Sequence, residues 1–247
     1  MTGPTLLRRL FGTPREGPNP FSVFLAPEAQ AINRARQEHL ASLGLDLEGK
    51  SVLEVGAGIG LHTPFFVERG CAVTLTDGRA ENVAEAKRRL PGVRAAVVDV
   101  EVDQPIGLGL FDVVYCYGLL YHLANPARAL ERMAEACRSL LLLETAVSPG
   151  TFDESLLVRD PDALNQAVSG TGCRPTRLWV LNRLRTSFGY AYIPRTQPDF
   201  VDFPLDWVHT PMQLMHRSIF VASRTPLALP TLGDSVPKRQ ERYRAPL

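Results

Sequence analysis

The sequence predicts an α/β fold, a mostly parallel sheet covered by helices on both faces. Three observations carry this. Short apolar runs alternate with helical ones from about residue 30 to residue 223. Those runs are continuously apolar rather than alternating, as strands buried on both faces must be. At 247 residues, 45% apolar and 21% charged, the chain can bury one large core or two small ones, and global disorder is excluded.

The prolines mark the edges. Pro4, Pro14, Pro18 and Pro20 crowd one end, and Pro226, Pro230, Pro237 and Pro246 the other. Both ends read as irregular arms, 1–27 and 224–247, around a domain at 28–223. Ile32, Ala35, His39, Leu40 and Leu43 form one face of an N-terminal helix. Ser51–Val55 is a buried strand, Leu61–Arg69 a helix closed by Gly70, and Ala72–Thr76 a second strand. Arg79–Leu90 is a helix with Val83, Ala86 and Leu90 on one face, ended by Pro91-Gly92. Val93–Val98 and Phe111–Cys116 are the third and fourth strands. Asn125-Pro126 caps a helix that places Ala129, Leu130, Met133, Ala134 and Cys137 at core spacing. Leu140–Thr145 is a fifth strand and Pro175–Phe188 a helix through Leu178, Leu181 and Leu184. Tyr190–Pro194 and Ser218–Ala222 are late strands without a helix between them. They read as an antiparallel pair at one edge, with 196–217 as a long inserted loop.

Charge and cysteine usage exclude several classes. Lys and Arg number 27 against 26 Asp and Glu, a net charge of +1. That balance argues against a surface that binds nucleic acid or acidic membrane throughout. No apolar run approaches the roughly 18 residues of a membrane span. Met1–Pro20 lacks the apolar core of a signal peptide, so a cytoplasmic protein is expected. Cys71, Cys116, Cys137 and Cys173 show no C-x-x-C spacing, and three lie in apolar runs. They read as reduced core thiols rather than a disulfide frame or zinc site.

The strongest local signal is Val52-Leu53-Glu54-Val55-Gly56-Ala57-Gly58-Ile59-Gly60, a buried strand running into three glycines and then a helix. Glycines let a ligand approach the backbone closely, and the helix N-terminus offers unpaired N–H groups. By itself such a loop serves a dinucleotide, another nucleotide or a plain turn. A dinucleotide loop would be G-x-G-x-x-G. Here the spacing is G-x-G-x-G after the acid Glu54. This form resembles the first motif of class I S-adenosylmethionine-dependent methyltransferases. Asp77 ends the second strand and Asp99 the third. In that family these positions bind the ribose hydroxyls and face the adenine amino group. The segment Phe111–Leu123, with Tyr117-Gly118-Leu119-Leu120-Tyr121-His122, resembles the family's post-strand-4 segment, which lies under the methionine portion of the cofactor. Leu142-Leu143-Glu144-Thr145 resembles its fifth strand. The run Thr76–Val83 is similar to bacterial methyltransferases encoded near polysaccharide and secondary-metabolite pathways.

The resemblance covers roughly residues 30–223. It implies a Rossmann-like, doubly wound sheet of seven strands in the order 3-2-1-4-5-7-6, the last antiparallel, with an N-terminal helical extension. The implied cofactor is S-adenosylmethionine, with S-adenosylhomocysteine as product. Its implied contacts are Glu54, Gly56, Ala57, Gly58, Gly60, Asp77, Gly78, Asp99, Val100, Tyr117, Gly118 and Leu119.

Methyl transfer from a sulfonium is an in-line displacement that requires alignment and exclusion of water. For a hydroxyl acceptor a base helps, and His122 is the catalytic candidate. His62 reads as a helix cap or a neighbour of the methionine carboxylate. From Ala163 to Pro198 there is no acid, yet Arg174, Arg177, Arg183, Arg185 and Arg195 lie there. Arginine forks bind phosphate and carboxylate, so this stretch reads either as a solvated face or as a positive wall for an anionic or sugar-like acceptor. Tyr121, Arg174, Arg177 and Trp207 are the substrate-binding candidates. Residues 200–216, with Phe203, Trp207, Met212 and Met215, read as a lid or a homodimer contact. His209 and His216 have no acid placed as a third ligand, so no metal site is expected. The basic run Lys238–Arg244 reads as a solvated tail. Three rivals stay open: a tRNA-modifying enzyme, since some share a similar G-L-L-Y-H-L segment, an NAD-dependent oxidoreductase, and a catalytically silent module.

Overall fold

Strands β1 (Ser51–Val55), β2 (Ala72–Asp77), β3 (Arg94–Val97), β4 (Phe111–Tyr117) and β5 (Cys137–Ala146) form the parallel part of one sheet. The computed structural model describes residues 19–102, 107–159, 165–210 and 215–244. Side chains alternate across each strand and both sets are buried. Val113 and Tyr115 pack with α2 (Pro27–Ser42) and α3 (Thr63–Val67) on one face. Val114 and Cys116 pack with α5 (Pro126–Glu135) and α6 (Arg177–Phe188) on the other. This two-sided burial explains why the strands read as unbroken apolar runs. Among the described residues the other α-helices are the short α1 (Ser22–Leu25) and α4 (Ala80–Arg89), which follows β2.

Beyond β5 lie β6 (Ser155–Arg159), β7 (Thr171–Pro175), β8 (Tyr190–Pro194), β9 (Thr196–Gln197), β10 (Arg217–Ser223), β11 (Leu232–Gly233) and β12 (Glu241–Arg242). Sheet order is β11-β8-β10-β5-β4-β1-β2-β3, with β10 antiparallel to both β5 and β8. Leaving β11 aside, this is the expected 3-2-1-4-5-7-6 arrangement. The N-terminal helix buries Ile32, Ala35, His39 and Leu40, with Leu43 just beyond its end, as the spacing requires.

Several local expectations change, among them Cys137, which opens β5 rather than lying on the helix before it. The helix expected over Leu61–Arg69 is only Thr63–Val67, because Pro64 is tolerated in a first turn and not further in. Between β5 and α6, β6 and β7 form an antiparallel hairpin that the sequence reading left without structure. Part of the 196–217 loop is ordered inward: Phe203 is fully buried and Trp207 Nε1 donates to Gln240 Oε1 at 2.7 Å. The C-terminal segment is packed rather than irregular. β11 extends the sheet on β8 and β12 pairs with β9, with Gln240 buried between them. In the basic run, Arg242 Nη1 donates to the Phe200 carbonyl at 2.8 Å, so the run folds back on the insertion. Two-residue pairings between prolines leave no periodic trace in a sequence. Of the arm expected to be irregular over 1–27, Ser22–Leu25 is helical and residues 1–18 lie outside the described residues, as do Met212 and Pro246.

Candidate active site

Because β1 to β4 are parallel, their carboxyl ends gather along one edge, and the residues that follow each strand meet there. Gly56 and Gly58 follow β1 with φ of 70° and 55°, in the left-handed region that favours glycine. Space forbids a side chain as well. A Cβ on Gly56 would stand 2.8 Å from Leu119 Cβ, and one on Gly58 2.8 Å from the Phe24 ring. The loop is thus clasped between the segment after β4 and helix α1.

Asp77, at the end of β2, organises this edge. Its Oδ2 accepts from the Gly58 amide at 2.8 Å. Its Oδ1 accepts from the Arg79 amide at 2.9 Å and from Asn82 Nδ2 at 3.1 Å. Burial pushes the carboxyl up, against these donors. A carboxylate has about four acceptor positions, so one remains for a ligand rather than the two that bidentate ribose binding would need. Asp99 lies two residues beyond β3 and accepts from the Glu101 amide at 2.9 Å.

Gly56, Gly58, Asp77, Gly78, Asp99, Val100, Gly118, Leu119 and His122 line one cleft of about 100 Å³. Phe24 and residues 165–168 narrow it, with Arg79 Nη2 donating to the Ala167 carbonyl at 3.2 Å. Ala57, Tyr117 and Tyr121 line a second, larger cavity of about 290 Å³. The two cavities share Phe24, Gly56, Gly58, Gly118, His122 and Asn165. His122 ends a short 3-10 turn, and its ring lies 3.9 Å from that of Tyr121, tilted by 41°.

Glu54 and Gly60 line neither cavity. Glu54 is buried in β1 and accepts from Thr63 Oγ1 at 2.6 Å, tying the start of α3 to the sheet. Burial raises its carboxyl to about 7. His62 has a structural place. Burial, with Arg36 nearby, lowers its pKa to about 3, so it is neutral. Its Nε2 donates to Asn33 Oδ1 at 2.9 Å, leaving Nδ1 to accept from the Tyr115 hydroxyl at 2.9 Å.

The five arginines expected to form one positive wall do not assemble. Arg174 Nη1 donates to the Tyr121 and Cys173 carbonyls, and its guanidinium sits 5.3 Å from the Tyr121 ring. Arg177 is buried 3.7 Å over Trp207. Arg183 lies against Trp179, Arg185 binds the Asp234 carbonyl and Arg195 the Pro230 carbonyl. None of the five lines either cavity. An acid-free stretch satisfies its arginines with carbonyls and aromatic faces, which sequence charge counts do not register.

The residues that do charge the second cavity were not singled out in the sequence. Glu144, with no exposed surface, bridges Arg36 (Nη2 to Oε2, 2.6 Å) and Arg217 (Nη1 to Oε1, 3.1 Å). Arg217 also reaches Asp202 Oδ2 at 3.3 Å and the Tyr121 hydroxyl at 3.2 Å. A signal for two of them exists. Arg36 interrupts the apolar face of α2, and Glu144 interrupts an unbroken apolar strand. Among the described residues, no three His, Cys, Asp or Glu side chains are grouped to hold a metal ion, and no helix is long and apolar enough to cross a membrane.

The methyltransferase-domain family matches residues 28–190. A ubiquinone biosynthesis O-methyltransferase of Xanthomonas euvesicatoria is 34% identical over 147 residues, 57% of this chain and 56% of that protein. One of Psychrobacter arcticus is 30% identical over 129 residues, 50% of this chain and 49% of that protein. The chain thus spans about half the length of these curated relatives. Among solved structures, the N-terminal domain of EvdMO1, in the presence of SAH and D-fucose, superposes with a TM-score of 0.61. It covers 80% of this chain and 84% of that one at 22% identity, a likeness of fold.

Proposed function

Because the chain belongs to the class I S-adenosylmethionine-dependent methyltransferases, we propose that it methylates a hydroxyl oxygen of a small molecule. The observation that carries this reading is the shared wall of the two cavities at Gly56, Gly58, Gly118 and His122. A transfer reaction needs a donor chamber and an acceptor chamber that open onto each other. The names of the relatives, O-methyltransferases, favour oxygen over nitrogen.

The residues present fit the cofactor. Gly56 and Gly58 leave bare backbone where a Cβ would collide. Asp77 and Asp99 keep acceptor positions toward the same cleft, for ribose and adenine respectively. Gly118 and Leu119 line it too, for the methionine portion. When bound, S-adenosylmethionine supplies a methyl group activated by its positive sulfur. The chain's own task is to align, to exclude water and to handle a proton. Phe24 and residues 165–168 cover the cleft. His122, facing both chambers, takes the proton of the acceptor hydroxyl as general base. Four buried free cysteines suit a reducing compartment such as the cytoplasm.

The test uses titration calorimetry with S-adenosylhomocysteine and transfer of labelled methyl from S-adenosylmethionine into fractionated cell extract. The wild type should bind the product cofactor and label a low-molecular-mass species. His122→Asn should cut labelling by about a hundredfold with product affinity held within about twofold. Unchanged labelling in that variant would remove His122 as base, and no cofactor binding by the wild type would end the reading.

A further inference from the structure

The second cavity holds its charges in balance. Arg36 and Arg217 line it, and so do Glu28 at its rim and Asp202. Behind them Glu144 bridges both guanidinium groups, and with Asp202 it offsets their two charges. All three nitrogens of Arg217 already have protein acceptors: Glu144 Oε1, the Tyr121 hydroxyl and Asp202 Oδ2. His62, also in the wall, is neutral.

This network directs two further polar atoms. The Tyr121 hydroxyl accepts from Arg217, so its own proton is available to donate. Asp202 accepts from Arg217 through Oδ2, and Oδ1 takes no hydrogen bond from a described residue. Both side chains line the cavity, one guanidinium apart, with the ring of Phe200 beside them. A hydroxyl is the group that meets an acceptor and a donor at once. It gives its proton to Asp202 and receives one from Tyr121. A phosphate or carboxylate there would meet the Asp202 charge beside guanidinium groups whose own charges Glu144 and Asp202 already offset.

Resting on the methyl-transfer reading above, we infer that the acceptor is a neutral ring bearing adjacent hydroxyl groups. One hydroxyl is held between Asp202 and Tyr121 while its neighbour faces His122, whose ring lies against Tyr121. The rings of Phe24, Phe200 and Tyr121 supply apolar faces for it. Asp202 is the residue that sets the preference for a neutral over an anionic acceptor.

The test is titration of the full chain, saturated with S-adenosylhomocysteine, by two matched pairs. One is methyl glucopyranoside against its uronate, the other catechol against protocatechuate. In at least one pair the neutral member should bind about tenfold more tightly than the carboxylate, and the pair that responds separates a sugar from a phenol. In Asp202→Asn the amide oxygen must stay on Arg217 Nε, which turns Nδ2 toward the ligand. That ratio should fall about tenfold or reverse. Asp202→Ser, which removes the charge without adding a donor, gives a second reading of the same ratio. Tyr121→Phe should weaken neutral and anionic members alike. Product-cofactor affinity within twofold of the wild type reports that each variant is folded. Tighter binding of the anionic members by the wild type, an unchanged ratio in both Asp202 variants, or no binding of either neutral probe overturns the inference. Failure of the wild type to bind the product cofactor is a different result, and it removes the methyl-transfer reading as well.

Discussion

The two chambers meet at His122 but are built by different means. The first is made of residues that follow consecutive parallel strands, and much of its wall is backbone. Its key polar contact, Asp77 to the Gly58 amide, spans 19 residues. The second is made of side chains from α2, the turn after β4, the 200–202 segment and β10. Its key contact, Arg36 to Glu144, spans 108 residues, and both partners are buried. A chamber built from strand ends depends on local sterics. A chamber built on a buried charge cluster depends on every partner being present.

The sharpest way to break this contrast is to remove the shared carboxylate. Glu144→Ala leaves two buried arginines without their common anion, which should cost about 3–5 kcal/mol in urea unfolding. Replacing the whole cluster, as Arg36→Met, Glu144→Leu and Arg217→Met together, should recover a large part of that loss. A loss under about 1 kcal/mol for Glu144→Ala would show that the second chamber does not depend on its charges.

On the cofactor side the contrast is tested by a methyl group. Gly58→Ala sets a Cβ at positive φ against the Phe24 ring, at about 1–2 kcal/mol for the backbone alone. Product-cofactor affinity measured by calorimetry should fall by about tenfold. Adding Phe24→Ala should return the steric part of this loss and leave the backbone part. Full recovery would mean that the glycine serves the ring rather than the loop.

Glu54, buried in β1, links the stability of the fold to pH. Its carboxyl rises from an ordinary 4.5 to about 7 in the folded chain. The folded state therefore favours the protonated form. This contribution is fully present below pH 4.5 and is lost as pH rises through about 7. Between pH 5 and pH 8 the wild type should lose melting temperature relative to Glu54→Gln, which keeps an acceptor for Thr63 and carries no charge. Parallel profiles for the two proteins would place the titration elsewhere.

The smallest effect is expected at Arg174. Its guanidinium serves the Tyr121 and Cys173 carbonyls and lines neither cavity. Arg174→Ala should cost about 1 kcal/mol in stability and change acceptor turnover by less than about threefold. A large fall in turnover would restore the positive wall that the charge count suggested.

Much of the first chamber was legible in the sequence. The G-x-G-x-G spacing and Asp77 and Asp99 each sit at the end of a readable strand, and parallel topology does the rest. Glu54 was legible as a residue, but its bond to Thr63 was not, because strand periodicity does not say which side of a loop a side chain supports. Tyr117 shifted to the neighbouring cavity for a similar reason. Alternation along β4 places it with Tyr115, whose ring stacks 4.3 Å away on the α2 face.

What the sequence by itself determined is the order of the parallel strands and the helices between them, the glycine loop and the acids beside it. These follow from side-chain period and from proline and glycine sterics, which act over a few residues, and from the fixed hand of a strand–helix–strand crossover, which acts within one such unit. Only the tertiary structure decided which charges pair: Glu144 with Arg36 and Arg217, and Arg217 with Asp202 and Tyr121. It also decided that the arginine-rich stretch turns its charges onto carbonyls and rings, and that the C-terminal segment closes the sheet. A buried charge must find a partner, but its sequence position carries no record of which one, because that choice is made by packing across distant segments.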